Sequence, residues 1–461
     1  MTFVSFEYLA LLAATVALYY LLPWRARVGL VLVASYVFYC WWEPWYGYLI
    51  ASTTLIDYAA ALAMHGSADP RRRKLYLLAS LTANIGILAY FKYTNFALDT
   101  LRPLLGDTGA ALPHLDVLLP VGISFYTFQE MSYTIDVYRR RIQPTRDLML
   151  FATYVSFFPQ LVAGPIERAD QLMPQLRTVH RFDLARLQEG VGLIFIGLFK
   201  KLCLADRLMP FLLPRFRGPS EFDGWDLALA LPAMAVALYL DFGGYTDIAR
   251  GSARLFGIEL VRNFDYPFTS TNPGELWQRW HASLTSWMRD YAFVALPGSP
   301  ALSMLIPAAL LGLWHGAGWR FLLWGIGNGL ALVVYVTWRI NRKTPGGKDG
   351  GPLAIAGTAA FRVYTLLLMT LLYCPDLGTA ASYWRALATH SWRTWSDPTL
   401  AALVVFLAVF VAVQYAGRYL PWRPRWDALP AWAQGAAFAL LLYVVLFFSV
   451  PVGEKFVYQQ F

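Results

Sequence analysis

Six histidines occur in this chain of 461 residues, and two of them sit beside tryptophan in apolar sequence. His281 lies in NPGELWQRWHASLTSWMRD (272–290) and His315 in LGLWHGAGW (311–319). Histidine is the side chain whose unperturbed pKa lets it exchange protons near neutral pH. At membrane depth it is costly, and it is retained where it lines a cavity or has a partner. The pair therefore points to proton-transfer chemistry inside a membrane. The plainer alternatives are a packing histidine bonded to a backbone carbonyl at 281, and a helix-packing motif with an incidental histidine at 315.

The elements that must hold these residues are readable in outline. Asn272 is placed as an N-cap, Pro273 fits the first helical position, and Glu275 sits where a capping-box partner belongs. From there Trp277, Trp280, Leu284, Trp287, Met288 and Tyr291 recur at helical spacing, which predicts one amphipathic helix with His281 on the rim near Trp277 and Leu284. Such a helix suits the membrane interface or a polar cavity wall. His315 follows the apolar LIPAALLGLW and precedes Gly316, Ala317 and Gly318. Small residues allow close backbone approach to a helix or a ligand, so His315 is expected in the wall of a tunnel. Further polar residues stud apolar runs: Asp241, Tyr245, Thr246 and Asp247 in LDFGGYTDIARG, Gln129 and Glu130 in GISFYTFQE, and Gln160 and Glu167 in FFPQLVAGPIE. A carboxylate at a helix centre costs about 2.5–3.5 kcal/mol on insertion scales. Hydrogen-bonded packing would explain some of these groups; a transport pathway would explain all of them.

Composition sets the class. Hydrophobic residues make up 57% and charged residues 15%, well below the roughly 25% charge of a soluble domain. Apolar runs fall at 5–22, 28–42, 45–64, 75–92, 117–137, 148–164, 188–205, 226–246, 301–316, 320–338, 356–374, 399–417 and 432–450. The reading is an all-α polytopic membrane protein, a single integral membrane domain over 1–461, in which runs broken by Pro, Gly or charge are re-entrant or interfacial. The net charge of +9 is not a nucleic-acid signal, because the basic residues cluster in short loops: Arg25 and Arg27, Arg71 to Lys74, Arg139 to Arg141. Basic-poor connections at 41–45 and 93–116 lie between them. Positive loops stay cytoplasmic, so the N-terminus and loop 93–116 are expected outside and loops 65–74 and 139–147 inside. The first segment lacks a basic leader region and reads as a retained anchor. Cys40, Cys203 and Cys374 lie in apolar runs without metal spacing, and no phosphate-binding glycine motif appears. No metal and no bound cofactor is expected.

Five blocks, LPVGISFYTFQEMSY, FFPQLVAGPIER, LDFGGYTDIARG, NFDYPF with LWQRWHASLTSWMRDY, and LWHGAGW, resemble in order those of the membrane-bound O-acyltransferase family, over about 117–335. The likeness is to its bacterial polysaccharide branch, which modifies alginate, cellulose and peptidoglycan, with teichoic acid D-alanyl transferases more distant. The resemblance implies a ring of about 11–13 transmembrane or re-entrant helices around a central tunnel. It implies that His315 is catalytic, that His281 is the second recurring histidine of the branch, and that Arg279, Trp314, Asp241 and Gln129 bind substrate. It further implies an acyl thioester donor, acetyl-coenzyme A, on the cytoplasmic side of a bacterial inner membrane. An extracytoplasmic polysaccharide would accept the group, through a hydrolase-like acetyltransferase partner outside. The terminal Phe456-Val457-Tyr458-Gln459-Gln460-Phe461 resembles the branch's C-terminal motif, which would make Tyr458 an acyl-accepting intermediate. Against this stands a proton-coupled transporter or flippase using His281, His315 and Asp241 as a relay.

Overall fold

In a computed structural model, the structure describes residues 1–106, 112–116, 118–293, 300–341, 352–392, 398–420 and 422–449. The described residues are helical, with no strand among them. The chain forms two compact units: residues 1–198 with 245–261, and residues 199–244 with 262–461.

The first unit begins with α1 (Phe6–Tyr19), whose Ser5 cap accepts from the Tyr8 amide, and α2 (Trp24–Cys40). α3 (Tyr46–Gly66) and α4 (Pro70–Leu101) follow, the latter started by an Asp69 cap and Pro70. Then come α5 (Ile123–Tyr138), α6 (Leu148–Ser156), α7 (Ala169–Arg177) and α8 (Leu184–Leu198). Gly122 enters α5 at φ 80°, and a Cβ there would stand 2.6 Å from the Leu161 carbonyl oxygen, so the glycine is required twice over. The run 148–164 is not one helix: α6 stops at Ser156 and a buried series of turns continues to Gly164. Polar residues of the two motifs close on each other. The Gln129 amide donates to the Tyr154 carbonyl at 2.6 Å, and that of Gln160 donates to Gln129 Oε1 at 3.1 Å. This is hydrogen-bonded packing, and it satisfies backbone groups that an irregular buried segment would otherwise leave bare.

Basic residues also bind helix ends in this unit. Arg27 donates to the carbonyls of Leu22 (2.7 Å) and His180 (2.6 Å), and Arg73 donates to that of Tyr138 (2.7 Å). Tyr58 donates to the Arg146 carbonyl at 2.6 Å. These contacts gather chain near 20–27, 66–73, 138–146 and 177–180 at one end of the unit. Trp45 stacks on Phe91, with centroids 5.7 Å apart, away from that end.

The second unit opens with a π-helical stretch, Phe199–Ala205, and α9 (Asp206–Arg217). α10 (Gly224–Leu255) gives its part up to Gly244 to this unit. α11 (Pro273–Arg279), α12 (Ala282–Trp287), α13 (Pro300–His315) and α14 (Trp319–Asn341) follow. The remainder is α15 (Pro352–Tyr373), α16 (Leu377–Thr389), α17 (Pro398–Tyr419), α18 (Trp422–Asp427) and α19 (Ala431–Phe448). Its core joins Ala205, Val236, Tyr239, Leu240 and Phe410, with Phe264, Phe268 and Trp280 packed against them.

The chain is a multi-pass membrane protein. Among the described residues seven helices, α3, α4, α10, α14, α15, α17 and α19, are long and apolar enough to cross a membrane. α1 and α13 are shorter apolar helices. Several other apolar runs form short or bent elements: α5 has 16 residues, and the 188–205 run is α8 continued by the π-helical stretch.

Candidate active site

Asn272 caps α11 as its sequence predicts, accepting from the Glu275 amide at 2.9 Å, and Glu275 Oε2 returns to the Thr271 amide at 3.0 Å. The single helix expected over 272–291 does not form. α11 ends at Arg279, and His281 adopts a left-handed backbone, φ 46° and ψ 49°, before α12 begins at Ala282. A non-glycine residue held there costs on the order of 1–3 kcal/mol and needs support from its surroundings. Asn263 supplies it. Its carbonyl accepts from the Ala282 amide at 3.0 Å and its side-chain oxygen from the Ser283 amide at 3.2 Å, while the Asp265 amide donates to the Arg279 carbonyl at 3.0 Å. The break swings the imidazole away from the Trp277–Leu284 stripe. His281 is 2% exposed, its ring 4.6 Å from Phe242 and 5.6 Å from Trp314.

His315 is the last residue of α13 and is 7% exposed. Of the two approaches that small residues allow, to a helix or to a ligand, Gly316 makes the first. A Cβ on Gly316 would collide with the Phe321 ring, which fills the space. On α13, Ala308 and Gly312 are four apart, as are Gly325 and Gly329 on α14. A Cβ on Gly325 would meet the Ala308 carbonyl, and one on Gly312 the Phe321 carbonyl. This small-xxx-small seam on both helices brings their backbones together. Trp324, one residue before Gly325, is thereby laid against His315 at 4.9 Å.

Trp314 lies between the two histidines, 5.0 Å from the His315 ring. Phe242, His281, Trp314, His315, Trp324 and Trp277 thus form a continuous row of edge-to-face contacts, closed by Trp277 against Trp324 at 6.0 Å. The row encloses both imidazoles in aromatic rings, a setting that favours the neutral form of histidine. His281 lies outside the spanning helices, and burial pushes its imidazole down to about 3. The unfolded chain then binds a proton that the folded chain refuses between pH 6.5 and 3. The fold is accordingly most stable above pH 6.5 and loses stability as pH falls toward 3. We expect His281→Asn to flatten that part of the pH profile in thermal melts of the purified protein; an unchanged slope would contradict it.

The other residues singled out are engaged as follows. Arg279 pairs with Asp265 at 2.7 Å and with Glu275 at 3.3 Å, and Glu275 also holds Arg418 at 3.0 Å. Asp241 is 1% exposed and lies 2.7 Å from Lys201, which also holds Asp206 at 2.6 Å. Lys201 was not among the sequence candidates, although a lysine inside the apolar FKKLCLA is itself a signal. Asp241 precedes Phe242, so the ion triad anchors α10 one residue before the ring that packs on His281. Gln129 belongs to the first unit and its Gln160–Tyr154 network. Tyr458 and the 456–461 tail lie outside the described residues.

Residues 137–374 match the model of MBOAT, the membrane-bound O-acyltransferase family. The chain is 38% identical to the probable alginate O-acetylase of Azotobacter vinelandii over 338 residues, 70% of this chain and 66% of the relative. It is 32% identical to the peptidoglycan O-acetyltransferase of Helicobacter pylori over 348 residues, 68% of this chain and 65% of the relative. A teichoic acid D-alanyltransferase of Streptococcus thermophilus matches at 29% identity, over 49% of this chain and 58% of that protein. In each case less than two thirds of the relative's own length is spanned. With more than half of its residues inside the family model, and both histidines among them, the chain belongs to the membrane-bound O-acyltransferase family.

Proposed function

We propose that this protein is a membrane O-acyltransferase that moves a short acyl group, in the first instance acetyl, from a cytoplasmic thioester to an oxygen acceptor. The acceptor's destination is an extracytoplasmic polysaccharide. The observation that carries the reading is the buried His281–Trp314–His315 arrangement inside the region matched by the family model. The similarity to proteins named for alginate and peptidoglycan O-acetylation supports the polysaccharide as the acceptor class.

The chemistry follows from the parts. A thioester is an activated donor, and a hydroxyl must lose its proton as it attacks. Neutral His315 takes that proton as general base, the oxygen bonds to the carbonyl carbon, and collapse expels the thiolate. The imidazolium then returns the proton to sulfur, so the histidine is unchanged at the end. General-base work of this kind contributes about 10²–10⁴-fold. His281, fixed by its strained backbone, is the supporting group that donates a hydrogen bond to the developing oxyanion. The Arg279 guanidinium is held at the end of α11, two residues before His281, by its two carboxylates. Tyr458 would receive the acyl group as a phenyl ester, which stays activated because a phenol has a pKa of about 10, and pass it to a partner transferase outside. Incubating the purified protein with labelled acetyl-coenzyme A tests the reading. Label on glycan, or on a peptide containing Tyr458, supports it; absence of any acylated product, with substrate or proton flux instead, favours a transporter.

The orientation proposed places the N-terminus and segment 93–116 outside and segments 65–74 and 139–147 inside; residues 93–101, read from the sequence as loop, are the end of α4, and 70–74 are its start. The gathering of 20–27, 66–73 and 138–146 at one end of the first unit supports this. Single cysteines at Ser67 and at Thr108 (the latter outside the described residues) are expected to label with an impermeant reagent from the inside and the outside respectively. The reverse pattern would invert the topology.

A further inference from the structure

A second polar centre lies wholly within the first unit and takes no part in the chemistry above. α3 contributes Thr54 and Asp57, three residues apart and so on one face; α4 contributes Ser80 and Asn84, and α5 Glu130 and Thr134, each pair four apart. All six side chains are buried, Asp57 and Glu130 completely. Ser80 donates to Asp57 Oδ1 at 2.5 Å, and the Asn84 amide to Asp57 Oδ2 at 2.8 Å. Thr54 donates to Glu130 Oε1 at 2.9 Å, and Ser80 lies 3.2 Å from the Thr134 hydroxyl. Asp57 thus sits in one hydrogen-bonded set with Ser80, Asn84 and Thr134, and Glu130 is bonded to Thr54 beside it, where the short helix α5 packs on the membrane-length helices α3 and α4.

No basic side chain among the described residues bonds either carboxyl. Arg73, the buried cation of α4, is turned instead to the Val137 and Tyr138 carbonyls. The titratable neighbours are phenols and a thiol: Tyr36, Tyr39 and Cys40 of α2, Tyr46 of α3, and Tyr126 and Tyr133 of α5. Glu130 Oε2 and Asn84 Oδ1 are fully enclosed, the hydroxyls of Tyr39 and Tyr126 beside Glu130 bond each other, and the Glu130 carboxyl meets only the hydroxyls of Thr54 and Thr53. Two carboxylates packed together in low dielectric without a cation repel each other and lose their hydration, a combination that proteins avoid.

We propose that Asp57 and Glu130 form an intramembrane proton-binding site that holds one proton between them. Asp57, which accepts from two donors, keeps the negative charge. Glu130, whose Oε1 accepts from Thr54 and whose carboxyl meets only hydroxyl groups and no amide or cation, carries the proton on Oε2. The binding step is one carboxylate and one proton from water giving one carboxylic acid, with no other reactant. A membrane-embedded carboxyl pair of this kind marks a functional proton site in its own right, independent of the histidines of the second unit.

Infrared spectroscopy of the purified full chain in nanodiscs tests this directly. The wild type should show the C=O stretch of a buried protonated carboxyl at neutral pH. Glu130→Gln should abolish it, and Asp57→Asn should shift it. Thr54→Val, which leaves both carboxyls in place, should move the band to higher frequency by removing the donor to Glu130, and it serves if the amide variants fold poorly. A spectrum without that band, or a band indifferent to Glu130→Gln and Thr54→Val alike, would overturn the proposal. So would thermal stability that rises with sodium but not with choline in the wild type and loses that response in Glu130→Gln, because a sodium ion would then occupy the site.

Discussion

His315→Ala is expected to reduce acyl transfer by at least about 10²-fold, the lower end of general-base contributions, while leaving membrane insertion and melting behaviour close to wild type. The ring is the terminal side chain of α13, and its removal does not touch the seam that holds α13 to α14. That seam is built from Ala308, Gly312, Gly325 and Gly329 and from the Phe321 carbonyl. The imidazole rests against the edges of Trp314 and Trp324. Turnover by the purified variant at saturating donor separates the two roles. Wild-type turnover would remove His315 from the chemistry. Loss of the folded protein itself would assign it to packing.

Lys201→Met carries the second large effect, on stability. Lys201 is enclosed with Asp206 at 2.6 Å and Asp241 at 2.7 Å, so the substitution leaves two buried carboxylates facing each other. Removing one partner from a buried ionic group costs about 3–5 kcal/mol, whereas replacing all of its charges by neutral isosteres is often tolerated. The expected result is that Lys201→Met fails to accumulate as a folded protein, and that the triple variant Lys201→Met, Asp206→Asn, Asp241→Asn recovers folding. The triple variant also separates structure from positioning. If the triad sets the place of Phe242 against His281, folding returns with turnover still depressed, since the helix loses the anchor one residue before that ring. Folding of the single variant at wild-type yield would show that the charges are not interdependent. These outcomes are read from detergent-solubilised yield and melting, followed by turnover.

The histidines, the Asn272 cap and the membrane class were legible in the sequence because each is a local signal: residue type, spacing of a few positions, or the length of an apolar run. The break at His281 was not. Its left-handed backbone is held by Asn263, 18 residues earlier, and nothing in the helical spacing of Trp277 to Tyr291 reports that contact. Gly316 and Gly318 were read as allowing close backbone approach beside His315, to a helix or to a ligand, and which of the two holds depends on what the next helix brings; α14 brings Phe321. Asp241 was recognised as out of place, yet its counter-ion sits 40 positions away on a π-helical stretch, whose altered register no periodicity analysis anticipates. The same limit applies to the apolar runs. Hydropathy finds 148–164, but only the Gln129–Gln160–Tyr154 bonds explain how a chain can turn at that depth after Ser156.

The central claim is that an acyl group leaves a donor on one side of the membrane and is delivered on the other through His315. The most direct measurement uses proteoliposomes of defined orientation, with labelled acetyl-coenzyme A confined to the side bearing loops 65–74 and 139–147 and a polysaccharide acceptor, with its transferase, on the opposite side. Wild-type protein should place label on the acceptor while the coenzyme A stays behind, and His315→Ala should not. Label reaching the acceptor equally in both proteins, or crossing only together with intact donor, would contradict the account.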